Sequence, residues 1–519
     1  MNATLDNVGA TRREWIGLAV LALPCLLYSM DLTVLNLAVP ALSADLRPSS
    51  AQLLWIVDIY GFLLAGSLIT MGTLGDRIGR RRLLLIGAVA FGVGSVLAAF
   101  STSAGMLIAA RALLGVAAAT LAPSTLSLIR NMFFDEKQRT FAVGVWIASF
   151  SAGGAIGPLI GGVLLTHFWW GSVFLLNVPV MLLLLLLGPV LLPEFHDPEA
   201  GRLDLISAAL SLAAVLAVIY GIKRFAEDGP GWWPALAIMT GAAVGAFFVR
   251  RQRDLAEPLI DLRLFRSPAF SASLTVSIVG FFVAFAAFLF IAQYLQLVLG
   301  MEPLQAGLWT APSGLAFIVG SLSTPAIVRH VRPAYVMAAG LGLAALGFAV
   351  LAQVDETNGV AVLVTGYVVF SAGLAPVFTL TTDMIIGSAP PERAGVAAGI
   401  AETSSELGGA LGIAVLGSIV TAVYRNVMAD VTSAGMSPEA AEIARSTLAG
   451  ARSVGAQLPD QLAAAFIASA QAAFIEGFAV IAFICAAAAL VAAILALLLL
   501  RQVRAGSASG AAAEGEGIA

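Results

Sequence analysis

Five acidic residues stand inside long apolar stretches of this chain: Asp31, Asp58, Asp383, Glu402 and Glu406. One arginine, Arg111, does the same. An ionisable side chain at the centre of a bilayer costs about 2.5–3.5 kcal/mol on insertion scales, which makes each of them a candidate for function. Poorly hydrated surroundings disfavour the charged form of a carboxylate. Such a group holds a proton while its cavity is empty and releases it when a cation arrives. Arg111 keeps its charge at any working pH, so at depth it needs a carboxylate or carbonyl partner. Proton-for-cation exchange is the chemistry these residue types allow.

At about 1.5 Å per residue, Asp31 lies roughly 24 Å along the first apolar run, Asp58 about 10 Å from the outer end of the second, which is where that run begins, and Glu406 about 20 Å along the thirteenth. The three share a height, and Glu402 sits one turn below Glu406 on the same face. Asp383 is only about 6 Å from an end of its run and reads as interfacial, within reach of water. Asp31, Asp58, Glu402 and Glu406 are therefore expected to face one central cavity. The competing reading is that some of them pair with Arg111 or Asn36 and merely hold helices together. Phe281, Phe285 and Phe288 recur at helical spacing; they would add cation–π contacts to such a cavity, or face lipid and neighbouring helices.

The elements that must position these groups follow from composition. Of 519 residues, 60% are hydrophobic and only 11% charged, against about 25% charged in a soluble domain. Lipid must be the solvent for most of the chain, which excludes a soluble enzyme, a nucleic-acid binder and a secreted disulfide scaffold. Cys25 and Cys485, the only cysteines, both lie in apolar runs, so neither a disulfide framework nor a zinc site is supported. A span needs about 20 apolar residues, and fourteen such runs can be marked out between residues 15 and 500. The first is too long for a signal peptide, carries Asp31 and lacks a small-residue cleavage site. With the N-terminus inside, 20 basic residues fall in inner segments and six in outer ones, Lys223 and Arg224 among the six. That bias places both termini in the cytoplasm.

The expected fold is an all-α membrane protein of fourteen transmembrane helices arranged as six, two and six. Residues 1–192 form a first six-helix bundle, and 193–266 a linker with two additional spans. Residues 267–504 form a second six-helix bundle. That second bundle includes a long outer loop, 425–472, whose stretch from Pro438 to Ala472 reads as short amphipathic helices on the surface. The Gly/Ala/Ser-rich tail 505–519 is expected to be disordered.

The loop after the second span reads G-T-L-G-D-R-I-G-R-R-R, from Gly72 to Arg82. Its glycines allow two helix ends to approach closely. Asp76 can accept hydrogen bonds from a neighbouring helix N-terminus, and Arg77 and Arg80 can pair with carboxylates or carbonyls. Gly72, Asp76, Arg77, Gly79 and Arg80 thus read as a latch between two bundles. A plain positive-inside anchor would need the arginines alone. A degraded echo, Arg329-His-Val-Arg332, sits at the corresponding place in the second set of six, as an internal repeat requires.

Taken together, the motifs resemble the major facilitator superfamily, over nearly the whole chain. Gly72–Arg82 looks like its signature loop, and Asp31 to Pro40 (D-L-T-V-L-N-L-A-V-P) resembles the first-helix signature of its fourteen-helix drug:proton antiporter branch. R-A-L-L-G, from Arg111 to Gly115, resembles its intramembrane arginine motif, and this implies a part for Arg111 in proton transfer. Gly144, Gly153, Gly157, Pro158, Gly161 and Gly162 in the fifth span match its antiporter motif. Glycines four apart share a face and let another backbone pack closely, and Pro158 bends the helix. The expectation is a tight, dry contact between the bundles that suppresses proton leak; plain packing would explain the glycines equally well. Leu53 to Tyr60 and Trp170 to Pro179 are similar to the quaternary-ammonium and methyl viologen exporters of that branch.

The resemblance implies a monomeric, proton-coupled exporter of lipophilic, cationic compounds across a bacterial cytoplasmic membrane, and no enzyme. No G-x-x-x-x-G-K-[ST] motif is present, so no nucleotide is expected and an ion gradient must supply the energy. No cofactor, metal or nucleic acid is expected. Asp31, Asp58, Arg111, Glu402 and Glu406 are the expected proton-coupling and substrate-binding residues. An exporter of one neutral or anionic metabolite, such as a self-made antibiotic, fits the same fold. A membrane-embedded enzyme or receptor would need an appended domain or a His/Asp/Ser constellation. The three histidines, His167, His196 and His330, all lie at span ends.

Overall fold

Hydrocarbon offers no water to backbone N–H and C=O groups, so an apolar segment has to satisfy them internally, as a helix does. The structure is a computed structural model. It describes residues 10–501 except 49, 197–203, 229–230, 256–257, 356–358, 391–392 and 432–436. Some helical side chains, including those of Asn36 and Pro158, lie outside the described residues, as do the tail 505–519 and most of the linker 193–204. Among the described residues the chain is helical, without a strand.

The first six spans are α1 (Arg12–Leu46), α2 (Ser50–Ile78), α3 (Arg80–Ala99), α4 (Ala104–Met132), α5 (Glu136–His167), and α6 with α7 (Ser172–Leu175 and Asn177–Leu191). Next come α8 (Leu205–Asp228) and α9 (Trp232–Asp254). The remaining spans are α10 (Pro268–Gln293, continued by a π turn over Tyr294–Val298), α11 (Pro303–Val328), α12 (Pro333–Leu351), α13 (Gly359–Gly387), α14 (Ala394–Val431) and α17 (Asp460–Leu500). Two short helices, α15 (Pro438–Ser446) and α16 (Leu448–Gly455), stand between the last two. Thirteen of these stretches are long and apolar enough to cross a membrane, and α5, bent by 40° between Glu136–Gly154 and Leu159–His167, makes fourteen. The break flanks Pro158, whose ring removes a backbone donor.

Helix starts follow local chemistry. Thr11 and Glu14 cap α1 reciprocally. The Ser103 hydroxyl accepts the Met106 N–H at 3.2 Å, and prolines open α10, α11 and α12.

The helix pairing repeats. In the first half α1 packs on α5, α2 on α4, and α3 on α4 and α7. In the second, α10 packs on α14, α11 on α13, and α12 on α13 and α17. The two halves meet reciprocally, α2 on α14 and α11 on α5, which is the pairing a twofold repeat generates. The pair α8 and α9 packs on itself, and α8 also lies against both α2 and α14, along the seam between the halves. Asp204 ties the ends of this pair together by accepting from Ser207 at 2.7 Å and Arg251 at 2.9 Å.

Two boundaries differ from expectation. The stretch 425–472 is mostly helix: α14 continues to Val431 and α17 begins at Asp460, because Ala-rich sequence extends a helix beyond its apolar run. α15 and α16 are docked rather than merely lying on the surface, with Ala444, Leu448 and Ala451 buried and Tyr424 donating to the Ala444 carbonyl at 3.1 Å. Likewise α8 runs past residue 222 to Asp228, so Lys223 and Arg224 belong to a helix and not to an outer loop.

Candidate functional site

Arg111 is fully buried in α4, at 0% exposure, and every part of its surroundings answers its charge. Its Nη1 meets the Asp31 carboxylate of α1 at 2.5 Å. Its Nε donates to the Ile56 carbonyl of α2 at 3.1 Å, and the guanidinium lies 4.5 Å from the Tyr60 ring centre. Gly115, one turn on, makes this possible: a methyl there would strike the Tyr60 backbone, so only glycine lets α4 come this close to α2. The spacing R-A-L-L-G is therefore the arginine plus the close approach that aims it. Asp31 itself is 8% exposed and borders a cavity of about 10 Å³, lined also by Val34, Val173 and Asn177. That is room for one water molecule.

From this pair a row of polar groups leads to the second half. Tyr60 is buried, and its hydroxyl has no hydrogen-bond partner among the described residues. It lies within electrostatic reach of both Asp31 and Glu406. The Tyr28 and Tyr60 rings are 6.4 Å apart, and Tyr28 donates to Glu406 of α14 at 2.9 Å. Glu402 lies one turn from Glu406, within electrostatic reach of Cys25 and Tyr28. Phe281 and Phe285 pack against the same helix at Gly408 and Gly409, with Phe281 stacked 4.3 Å from Phe378. Phe288 turns instead to Tyr367 and Phe370.

The four acids thus have three sets of partners. Asp31 is held within the first half by Arg111, Glu402 and Glu406 face α1 across the seam, and Asp58 of α2 pairs with Lys223 of α8. Equal height along separate helices fixes no direction around them, and a buried guanidinium claims whichever carboxylate it can reach.

The two halves are joined at the basic end of the bundle, where the segments around Arg77–Arg82 and Arg130–Arg139 gather. Asp76 accepts the Gly395 and Val396 N–H groups at the start of α14, each at 3.1 Å, and Arg80 pairs with it at 2.7 Å. A methyl at Gly72 would strike the Gly395 carbonyl. Gly79 turns the chain at φ +106°, open to glycine alone, and Arg80 N–H donates to the Phe195 carbonyl at 3.1 Å. Arg77, half-buried, ends α2 beside them.

A second junction was not legible as one. Asp383, read above as interfacial, is buried at 3% exposure; it accepts from Arg139 and Thr140 of α5, both at 2.8 Å. In the repeat α5 corresponds to α14, so an acid of the opposite half holds the first turns of both. Among the described residues the echo 329–332 makes no such link: Arg332 donates to the Arg501 carbonyl at 3.4 Å, inside the second half.

The glycines of α5 divide. Gly144 faces α11 of the other half, where an added methyl would come 2.8 Å from the Ser321 carbonyl. Gly153 and Gly161 instead pack against Leu26 and Val34 of α1, within the first half. Nine residues separate Gly144 from Gly153, about half a turn off register on a 3.6-residue helix, so they point opposite ways. Gly157 is buried, Gly162 has open space around it, and the Pro158 side chain lies outside the described residues. The contact between the halves that the motif was expected to supply comes from Gly144.

Sequence reasoning missed Tyr28, Tyr60 and Lys223 as members of these networks. The only signal was position, since Tyr28 and Tyr60 fall one turn from Asp31 and close to Asp58.

Comparisons with known proteins agree with this architecture. The chain is 44% identical over 493 residues to the multidrug efflux pump LfrA of Mycolicibacterium smegmatis, covering 95% of this chain and 97% of that one. It is 37% identical to the methyl viologen resistance protein SmvA of Salmonella typhimurium, covering 89% and 93%. A tetracenomycin C resistance and export protein of Streptomyces glaucescens is 33% identical, covering 94% and 92%. The crystal structure of the human organic anion transporter MFSD10 shares the fold, with a TM-score of 0.62 at 16% identity over 93% of this chain and 99% of that one. Residues 21–413 match the sequence profile of the Major Facilitator Superfamily, and the chain belongs to that superfamily.

Proposed function

We propose that this transporter exports lipophilic, cationic compounds in exchange for protons, with its basic end in the cytoplasm of a bacterial cell. The observation that carries the reading is the row Glu406–Tyr28–Tyr60–Arg111–Asp31, which runs from the seam of the halves to a buried ion pair. A proton reaching Asp31 removes the negative partner of Arg111. The guanidinium must then find other acceptors, and a buried unpaired charge is costly enough to favour another packing of the helices. Glu402 and Glu406, on the helix that Phe281 and Phe285 pack against at Gly408 and Gly409, supply a carboxylate and aromatic surface for a cation. With both junctions at the basic end made, the arrangement is closed toward the cytoplasm and suited to releasing cargo outside.

The electrical sign fixes what drives the cycle. One proton carried inward gains about 2.3 kcal/mol per 100 mV. One monovalent cation carried outward cancels that gain, leaving the pH gradient as driver. Electroneutral exchange of a divalent cation takes two protons, which more than one titrating acid helps to carry, and the chain has Asp31, Glu402 and Glu406 along one row of polar groups.

Transport into inverted proteoliposomes tests the reading. An imposed pH gradient, acid inside, should drive accumulation of ethidium, and a protonophore should abolish it. A second reading, export of one neutral or anionic metabolite such as a self-made antibiotic, is favoured by the likeness to the tetracenomycin C resistance and export protein. Indifference to ethidium together with gradient-driven uptake of tetracenomycin C would replace the cationic reading with that one.

A further inference from the structure

The helix pair α8 and α9 has no counterpart in the repeat, yet α8 sits where the halves meet. Near the end of α8 away from the basic loops, Lys223 reaches back to Asp58 of α2 and forms an ion pair with its Oδ1. The same ammonium lies 4.7 Å from the centre of the Phe62 ring. Phe62 is flanked by Trp55 at 6.2 Å and Tyr220 at 6.4 Å, and Arg224 lies 5.6 Å from Tyr220. Lys223 also acts electrostatically on Glu406 of the second half. A carboxylate beside a group of aromatic faces is the composition of a site for an organic ammonium ion. Here the chain's own lysine occupies it.

We propose that Asp58, Phe62, Trp55 and Tyr220 form a second, release-side site for an organic cation, and that Lys223 of the inserted pair is its resident counter-ion, displaced while cargo passes and returning to expel it. This rests on the reading that the cargo is cationic. The physics is competition for one carboxylate. A cation leaving Asp58 for water leaves a half-buried carboxylate, 19% exposed, without its partner, and the tethered ammonium restores one. Because the lysine is attached, its effective concentration at Asp58 stays high whatever the concentration outside. The site therefore stays weak toward cations returning from the outer medium, a direction an exporter has to suppress. Asp58 is on this account a cargo-handling acid rather than the proton carrier, and the inserted helices are part of the transport path.

The chain has only two lysines, Lys137 and Lys223, and Lys137 is exposed. Acylation of amines in the purified full-length protein, read by mass spectrometry, therefore reports Lys223 with Lys137 as internal reference. Saturating tetraphenylphosphonium is expected to raise the Lys223:Lys137 ratio severalfold. In the variant Lys223→Gln, the affinity for tetraphenylphosphonium should tighten about tenfold, within the usual 5–150-fold range for coupled ligands. Adding Asp58→Asn to that variant should remove the gain. Bound tetraphenylphosphonium with an unchanged acylation ratio would overturn the resident-cation role and leave cation export standing. Failure of the wild-type protein to bind it at all would overturn both.

Discussion

Asp383 of α13 and Arg139 of α5 form a buried ion pair at 2.8 Å, and the two residues belong to opposite halves of the repeat. With Asp76 holding the start of α14, this gives the basic end two reciprocal junctions. Each places an acid against the first turns of a helix from the other half. One engages main-chain N–H groups, where the helix dipole favours negative charge. The other engages a guanidinium and the Thr140 hydroxyl.

The pair with Asp383 should weigh as much in the cycle as the better marked one with Asp76. Removing one partner of a buried ion pair costs about 3–5 kcal/mol, and about 5.5 kcal/mol takes a two-state equilibrium from 1:99 to 99:1. Asp383→Asn keeps the shape but leaves the Arg139 charge unanswered, so the basic end should be open in most molecules. Spin labels placed across that end and read by pulsed dipolar spectroscopy should show the longer distance dominating. A distribution unchanged from wild type would remove the junction's role.

Asp31 and Arg111 call for a double-mutant cycle, because each supports the other. Asp31→Asn strands the guanidinium and should cost about 3–5 kcal/mol of stability. Arg111→Gln strands the carboxylate, although protonation relieves it. The double variant, with no buried charge, is expected to recover most of the thermal stability lost by Asp31→Asn while remaining inactive in pH-driven efflux. Thermal unfolding in detergent and proteoliposome transport separate the two effects. Recovery of coupled transport in the double variant would show that the pair serves packing alone.

The tyrosines should behave differently from each other. Tyr28→Phe deletes the hydrogen bond to Glu406, worth about 0.5–1.5 kcal/mol, and should lower stability and coupled rate together. Tyr60→Phe deletes a hydroxyl that has no described partner, so folding should be unaffected. If that hydroxyl passes a proton between Glu406 and Asp31, pH-driven transport should slow while exchange of labelled for unlabelled drug, which needs no net proton movement, continues. Equal slowing of both would assign Tyr60 a packing role.

How much of this could be read from the residues depends on the kind of information each statement needs. Fourteen spans were legible because hydrophobic length is a local property, and α5 was expected to bend because Pro158 acts on its own helix. Asp76 was legible as a helix-end acceptor from the loop's chemistry. Distance from a span end does not measure access to water: Asp383 lies near the end of α13, yet Arg139 of another helix covers it. The partners of the acids are not legible for a similar reason: height along a helix says nothing about azimuth, which decides that Arg111 claims Asp31 and Lys223 claims Asp58. Lys223 falls just past 222, where the apolar run ends although the helix continues to Asp228.

The glycines of α5 offer the sharpest separation of coupling from packing. Gly144→Ala would bring a methyl 2.8 Å from the Ser321 carbonyl in the other half, close enough that a backbone must shift. Gly162→Ala meets nothing within 4 Å. Gly153→Ala would press on α1, inside one half, and should lower stability without opening the seam. If the seam at Gly144 is what keeps protons from crossing uncoupled, Gly144→Ala should raise the drug-independent proton flux into liposomes loaded with a pH-sensitive dye. Gly162→Ala should match wild type, and Gly153→Ala should lose melting temperature but not tightness. A leak from Gly153→Ala as large as that from Gly144→Ala would place the barrier inside the first half, against the packing described here.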